Sequence, residues 1–193
     1  MYHLWLTGIM DYIRILHKRM CFTVALIALL VFSCHVSGQI DAPDKLKAAY
    51  ILSFAKLVSW PPNILPTKQA NLVICAAAAE SLTNELRNHS GKTIQGHRVQ
   101  VIALGKRSDS KGCHIVFIDT RHSSRWFKGA NPIEGQLLVG EEEGFIDKGG
   151  VINFYIDGEK LRFEISVGHA RQSRLDISSR LLNLAKIVGE DGQ

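Results

Sequence analysis

"KGGVINFYIDGEKLRFEI", residues 148–165, places two apolar-rich segments on either side of an Asp157–Gly158 turn. Within each segment apolar and polar side chains alternate, which is the period of a half-buried strand. An Asp-Gly pair between two such runs signals a tight hairpin, because glycine takes up the positive φ that a two-residue loop needs. Ile152, Phe154, Ile156, Leu161, Phe163 and Ile165 would then face a core. Asn153, Tyr155, Arg162 and Glu164 would form the opposite face and be free for contact.

Outward from the hairpin, short apolar runs and helical patterns take turns. "ANLVICAAA" (70–78), "CHIVFID" (113–119) and "GQLLVG" (135–140) read as buried strands, and "RVQVIALG" (98–105) alternates like one. "AESLTNELRNH" (79–89), "SSRWFKGA" (123–130), "EEEGFIDKGG" (141–150) and "SVGHARQSRL" (166–175) read as short helices or helical turns. "DISSRLLNLAKIVG" (176–189) is expected to close the fold as a helix capped by Ser178 or Ser179, with Leu181, Leu184, Ala185 and Val188 inward. The longest helical pattern, residues 41–62, starts at Asp41 and Pro43 and stops at Trp60-Pro61-Pro62. It is apolar over most of its circumference, so a sandwiched helix is expected. Alternating helices and strands point to an α/β layer structure, and the antiparallel hairpin makes its sheet mixed. The expectation is one α/β domain, a mixed β-sheet flanked by helices.

The N-terminus has a different character. Arg14, Lys18 and Arg19 precede thirteen uncharged residues, 21–33. That is the charged and apolar order of a secretory signal, too short for a membrane span. Val36 and Gly38 suit the −3 and −1 cleavage positions, which gives a signal peptide over 1–38 and a mature domain over 39–193. Met10 and Met20 are alternative starts. Acylation of Cys34 in "LVFSC" is a rival reading that Phe32 serves poorly, and an uncleaved anchor helix is another.

A hydrophobic fraction of 46% with 21% charged residues excludes a disordered chain. Removing residues 1–38 takes away three Lys/Arg and one Asp from 23 and 18, leaving 20 against 17 and a net charge of +3. No clustered basic stripe accompanies it, so nucleic acid is not an expected partner. Two cysteines remain, Cys75 and Cys113, each beside an apolar run. In an oxidising compartment such a pair is expected to bond. Two buried thiols are the alternative, and a zinc site lacks the spacing and further ligands it needs.

Catalytic motifs are scarce. There is no GxxxxGKS loop, GxGxxG turn, GxSxG elbow or HExxH helix, and the histidines of the mature region are scattered without ligand spacing. "GEEEG" (140–144) fits a solvated helix start better than a cation site. His169, Arg171 and Arg174 fit a solvated helix better than an anion site. Lys160, Arg162 and Glu164 share one strand face, exposed or partner-binding. His114 beside Cys113 sits in apolar surroundings that do not favour a thiolate. No cofactor and no metal are expected.

Four segments in order resemble the YfiR family of periplasmic regulatory proteins. In "LKAAYILSFAKLVSWP", Lys47, Ala48, Ile51, Phe54, Leu57, Trp60 and Pro61 occupy the places of the family's first helix. "ICAAAA" with "GKTIQGHRVQV", then "GCHIVFI", then residues 149–188 from "GGVINFY" onward follow. The resemblance implies a compact α/β fold, a periplasmic location, and a disulfide between Cys75 and Cys113. It implies no enzymatic activity. It also implies inhibition of an inner-membrane diguanylate cyclase, or another membrane sensor, through its extracytoplasmic domain, with relief by an outer-membrane lipoprotein; homodimers occur. Some relatives carry a second cysteine pair around "KGGVIN", which this chain lacks.

The expected function is therefore a periplasmic negative regulator that lowers cyclic di-GMP synthesis. Trp60, Tyr155, Arg162, Glu164 and the outer side of the C-terminal helix are the candidate contacts, with Trp60 equally at home in a core. A small-molecule-binding sensor or solute-binding component is the alternative; it calls for an enclosed pocket of several hundred Å³ with aromatics and an Arg. A hydrolase would need a Ser, a His and a carboxylate within hydrogen-bond reach.

Overall fold

A computed structural model describes residues 41–67, 69–105, 109–127 and 133–189, without the side chains of Asp41 and Ala42. The signal peptide and the Cys34 lipidation site lie outside the described residues.

Helix α1 (Asp41–Leu57) runs into β1 (Val58–Ser59). The remaining elements are β2 (Leu72–Ala77), α2 (Glu80–Arg87), β3 (Thr93–Ile94), β4 (His97–Ala103), β5 (Ile115–Ile118), α3 (Thr120–Trp126), β6 (Leu137–Gly140), β7 (Ile152–Asp157), β8 (Lys160–Ser166), α4 (Val167–Gln172), β9 (Asp176–Ile177), α5 (Ser179–Leu182) and β10 (Lys186–Val188). Eight strands form one sheet in the order β10-β8-β7-β6-β5-β2-β4-β3. The run from β4 through β2, β5 and β6 to β7 is parallel, and β10 pairs parallel with β8. The hairpins β7/β8 and β3/β4 are antiparallel. This is the mixed α/β sheet that the sequence predicts.

Alternation along the central strands splits the interior in two. Ile74, Ala76, Ile115, Phe117, Leu137 and Val139 face α1 and α2, in a cluster that also holds Phe54, Leu82, Phe154 and Phe163. Cys75, Ala77, Val116, Ile118 and Leu138 face the other way, toward Phe145, Trp126 and Phe127. Phe54 of α1 meets Phe163 edge-on at 5.1 Å and stacks with Phe154 at 5.6 Å. The aromatic contacts fasten the first helix to the base of the hairpin. A disulfide between Cys75 and Cys113, Cα atoms 5.8 Å apart, closes a separation of 38 residues on the opposite face. On the chain-entropy argument a loop of that size stabilises the fold by about 4 kcal/mol.

Several elements differ from the sequence reading. α1 is not sandwiched: Ile51, Phe54 and Ala55 are fully buried, but Leu46 is 45% exposed, so one face meets solvent. It stops at Leu57 because residues 58–59 pair with β9 ahead of Pro61-Pro62, and the Gln95 side-chain amide donates to the freed carbonyls of Ala55, Lys56 and Val58. The hairpin loop is Gly158-Glu159, since Asp157 pairs with Lys160, and Gly158 has φ +60°.

Residues 141–150 form turns instead of a helix, with Gly144 and Gly149 at φ +72° and +101°. Phe145 is driven inward there, its ring lying against Gly140 and Gly150. The C-terminal helix is only Ser179–Leu182, capped by Ser178, and the chain then joins the sheet as β10. Leu184, expected inward, is 68% exposed.

Candidate functional site

The β7/β8 hairpin stands out past its neighbours. β6 reaches only Ile152 and Asn153, and β10 reaches only Glu164 to Ser166. The base of the hairpin is therefore covered and its tip is not. Ile156, expected in the core, is 67% exposed for this reason, and Leu161 is half-buried.

The polar face divides in the same way. Asn153, expected free for contact, is buried; its side-chain amide donates to Glu164 at 3.1 Å, while its side-chain oxygen Oδ1 has no partner among the described residues. Glu164 also forms an ion pair with Lys186 at 3.6 Å, and the same ammonium stands 5.8 Å from the centre of the Tyr155 ring. Both residues thus anchor β10 to the hairpin. Arg162, whose side chain is 51% exposed, has Asp157 at 4.0 Å as its one ion-pair partner among the described residues. Of the sequence-predicted contacts on this face, Arg162 is the exposed one.

Trp60 lies elsewhere. It is half-buried, donates its indole N–H to the Gly135 carbonyl at 2.9 Å and meets the His114 ring edge-on at 6.3 Å. The structure does not bring it to the hairpin face. His114 itself is buried, and burial pulls its pKa down, with the Ile64 carbonyl acting the other way.

A second polar cluster sits at the carboxyl ends of the parallel strands. The chain leaves β2 for β4 on one side and returns to β5 on the other, so the β2/β5 boundary is the switch point where open α/β sheets bind ligands. A cleft of about 100 Å³ opens there, lined by Asp44, Lys47, Leu82, Phe117, Asp119 and Arg121, among others. Asp119 caps α3 through the His122 N–H and accepts the His122 ring and Arg121. Burial alone would raise its pKa, but the hydrogen bonds from His122 and Arg121 hold the carboxyl below its usual value. The sequence reading missed this cluster, since only the strand order brings residues 44, 119 and 141 together.

Among the described residues nothing assembles a nucleophile. His122 is paired with Asp119, whereas the fully buried Ser123 hydroxyl donates to Glu142. The acidic run of "GEEEG" is dispersed: Glu141 pairs with Lys47, Glu142 with Lys148, and Glu143 is exposed. Among the described residues no group of three His, Cys, Asp or Glu is placed to hold a metal ion, and no helix is long and apolar enough to cross a membrane. His169 bonds to the Gly150 carbonyl at 2.9 Å and Arg174 to Glu134 at 3.1 Å, so these two do not converge on one anion.

The sequence pattern of the YfiR/HmsC-like family matches residues 44–186, from the first helix to the last strand. The chain belongs to the YfiR/HmsC-like family. That family is regulatory and non-catalytic, its proteins are periplasmic, and it is tied to cyclic di-GMP signalling. No curated protein matches the chain. A solved structure of a conserved domain protein from Vibrio cholerae is similar over 76% of this chain and 60% of its own, at 11% identity and a TM-score of 0.48. This YfiR/HmsC-like chain therefore spans about three-fifths of that protein's length.

Proposed function

We propose that this protein is a periplasmic negative regulator that binds the extracytoplasmic domain of an inner-membrane signalling protein, in the leading case a diguanylate cyclase, and lowers cyclic di-GMP synthesis. Membership of the YfiR/HmsC-like family across residues 44–186 carries this reading. The Cys75–Cys113 disulfide supports it, because such a bond persists in an oxidising compartment. Binding would act by population shift: the sensor is silenced to the degree that its inactive conformation is gripped more tightly than its active one. Arg162 and the half-exposed Tyr155 are the proposed contacts on the hairpin, with Glu164 and Trp60 holding their surroundings in place. An outer-membrane lipoprotein that competes for the regulator, and a homodimeric state, belong to the same proposal. Deleting the gene in a strain that expresses the cyclase should raise cyclic di-GMP, and an unchanged level would count against the reading.

One observation favours a second reading, a small-molecule sensor. The cleft at the β2/β5 switch point is lined by Phe117 and by Arg121, as a polar ligand would require. Its volume of about 100 Å³ is smaller than the several hundred Å³ expected of such a site. Titration calorimetry with free amino acids distinguishes the two: heat that is lost in Arg121→Ala would favour the sensor.

A further inference from the structure

A groove along the solvent face of α1 has a charge pattern that its own residues leave unbalanced. Lys45, Ala48, Ala49, Leu52, Ser53 and Lys56 recur at helical spacing and line one wall. Glu85, His89, Lys92, Thr93 and Ile94, from α2, the segment after it and β3, line the other around a volume of about 350 Å³. The floor is apolar, since Ala48, Leu52 and Ile94 belong to the main core. The side-chain ammonium groups of Lys45 and Lys56 have no ion-pair or hydrogen-bond partner among the described residues. Among the described residues the Lys92 ammonium has only the His89 ring, 3.1 Å away. Against these three cations the groove sets one carboxylate, Glu85. His89 is neutral or cationic and supplies no counter-charge in either state; burial, then Lys92, lower its pKa, Glu85 raises it and Lys56 lowers it, and the net shift is downward.

We propose that this groove docks an acidic, amphipathic segment of a partner polypeptide. Lys45 and Lys56 are eleven residues apart on one helix, which separates them by about 16 Å. A compact anion would engage one end of such a groove and leave the other uncompensated. An acidic helical segment of similar length meets both, with Lys92 on the facing wall. Ala49 and Ser53 at the middle of the rim keep side chains short where a second backbone must approach. Apolar side chains between the segment's carboxylates would rest on Ala48, Leu52 and Ile94. The inference leans on the proposed function only for which macromolecule carries the segment.

The test needs no cyclase. The probe is a fluorescein-labelled fourteen-residue helical peptide with glutamates at both ends and leucines between them, titrated into the purified protein. K45E/K56E should weaken binding by about tenfold or more, and added salt should weaken it in the wild type. K111E/K160E, which makes the same charge change outside the groove, should leave it within about twofold. Amide shifts on binding should centre on Ala49, Ser53 and Thr93. Both variants change exposed side chains, and equal thermal midpoints would show that each is folded. Equal weakening by the two variants, shifts centred elsewhere, or no binding at millimolar peptide would overturn the proposal. So would decanoate displacing the peptide from the groove at similar affinity, which would assign the groove to a small amphiphile. A deletion strain with unchanged cyclic di-GMP would sink the function proposed above and leave this result standing.

Discussion

The backbone N–H of Val73 donates to Nδ1 of His114 at 3.0 Å, which places the ring proton on Nε2, 3.4 Å from the Ile64 carbonyl. A second proton on the ring would go to the nitrogen that accepts from Val73. Burial already lowers the pKa of His114 from 6.5, with the Ile64 carbonyl opposing and His97 assisting.

It follows that acid destabilises the fold through this residue. The unfolded chain takes up a proton at His114 as the pH drops through about 6.5, while the native ring resists. The contribution is thus complete above that value and is lost as the pH falls toward the lower native pKa. His114→Asn keeps an acceptor for Val73 and removes the titration. Urea midpoints between pH 7.5 and pH 5 should fall further in the wild type than in this variant (to about half a pH unit in locating the onset). Parallel profiles would refute the assignment.

Phe145 requires both of its flanking glycines. A Cβ at Gly150 would lie 2.1 Å from the Phe145 ring, and one at Gly140 would lie 2.3 Å from it. Gly150→Ala should cost roughly 1–3 kcal/mol by overpacking, and Phe145→Ala about 3–5 kcal/mol through the cavity it leaves. The double variant should cost less than the sum of the two, because the smaller side chain makes room for the methyl. Additive losses in a denaturant-melt cycle would show that the ring and the glycine do not meet.

Replacing Cys75 and Cys113 together by alanine should cost about 2–5 kcal/mol of stability. Under reducing conditions the melting temperature of the wild type should fall toward that of the variant, and the variant itself should not respond. A melting temperature indifferent to reductant would mean that the bond is not formed in solution.

Arg162 and Glu164 should separate contact from support. Arg162→Glu changes an exposed side chain whose one ion pair among the described residues spans 4.0 Å, so stability should stay within about 0.5 kcal/mol. In cells the same variant should raise cyclic di-GMP toward the deletion level. Glu164→Ala should instead cost about 1 kcal/mol or more, since Asn153 and Lys186 both lose their partner. If Arg162→Glu represses as well as the wild type, the hairpin tip is not the contact.

The central strands were legible because each is a short apolar run, and burial on both faces leaves such a run no other use. The end of α1 was legible to within a few residues from Pro61 and Pro62. Residues 176–189 were not. Leu181, Leu184, Ala185 and Val188 sit at helical spacing, yet Lys186–Val188 pair with residues 164–166, a preference that no local pattern records. Glycines with positive φ at 144 and 149 broke the expected helix at 141–150 in favour of turns that carry Phe145 inward. Ile156 fits the alternation of its strand as well as Phe154 does, and only the short reach of β6 and β10 separates their fates. The candidate site was legible as a hairpin, but which of its polar residues stay exposed depended on the neighbouring strands.

The first helix runs into a strand that is tied to residues 176–177. Val58 pairs with Ile177, and the last strand of the sheet comes from residues 186–188. A chain emerging residue by residue from a ribosome or a translocation channel cannot complete this architecture until residues 186–188 are out. Until then Ile177 and the β10 edge are missing, so the early segments must wait in an unfinished state that a holding chaperone or an open channel would recognise.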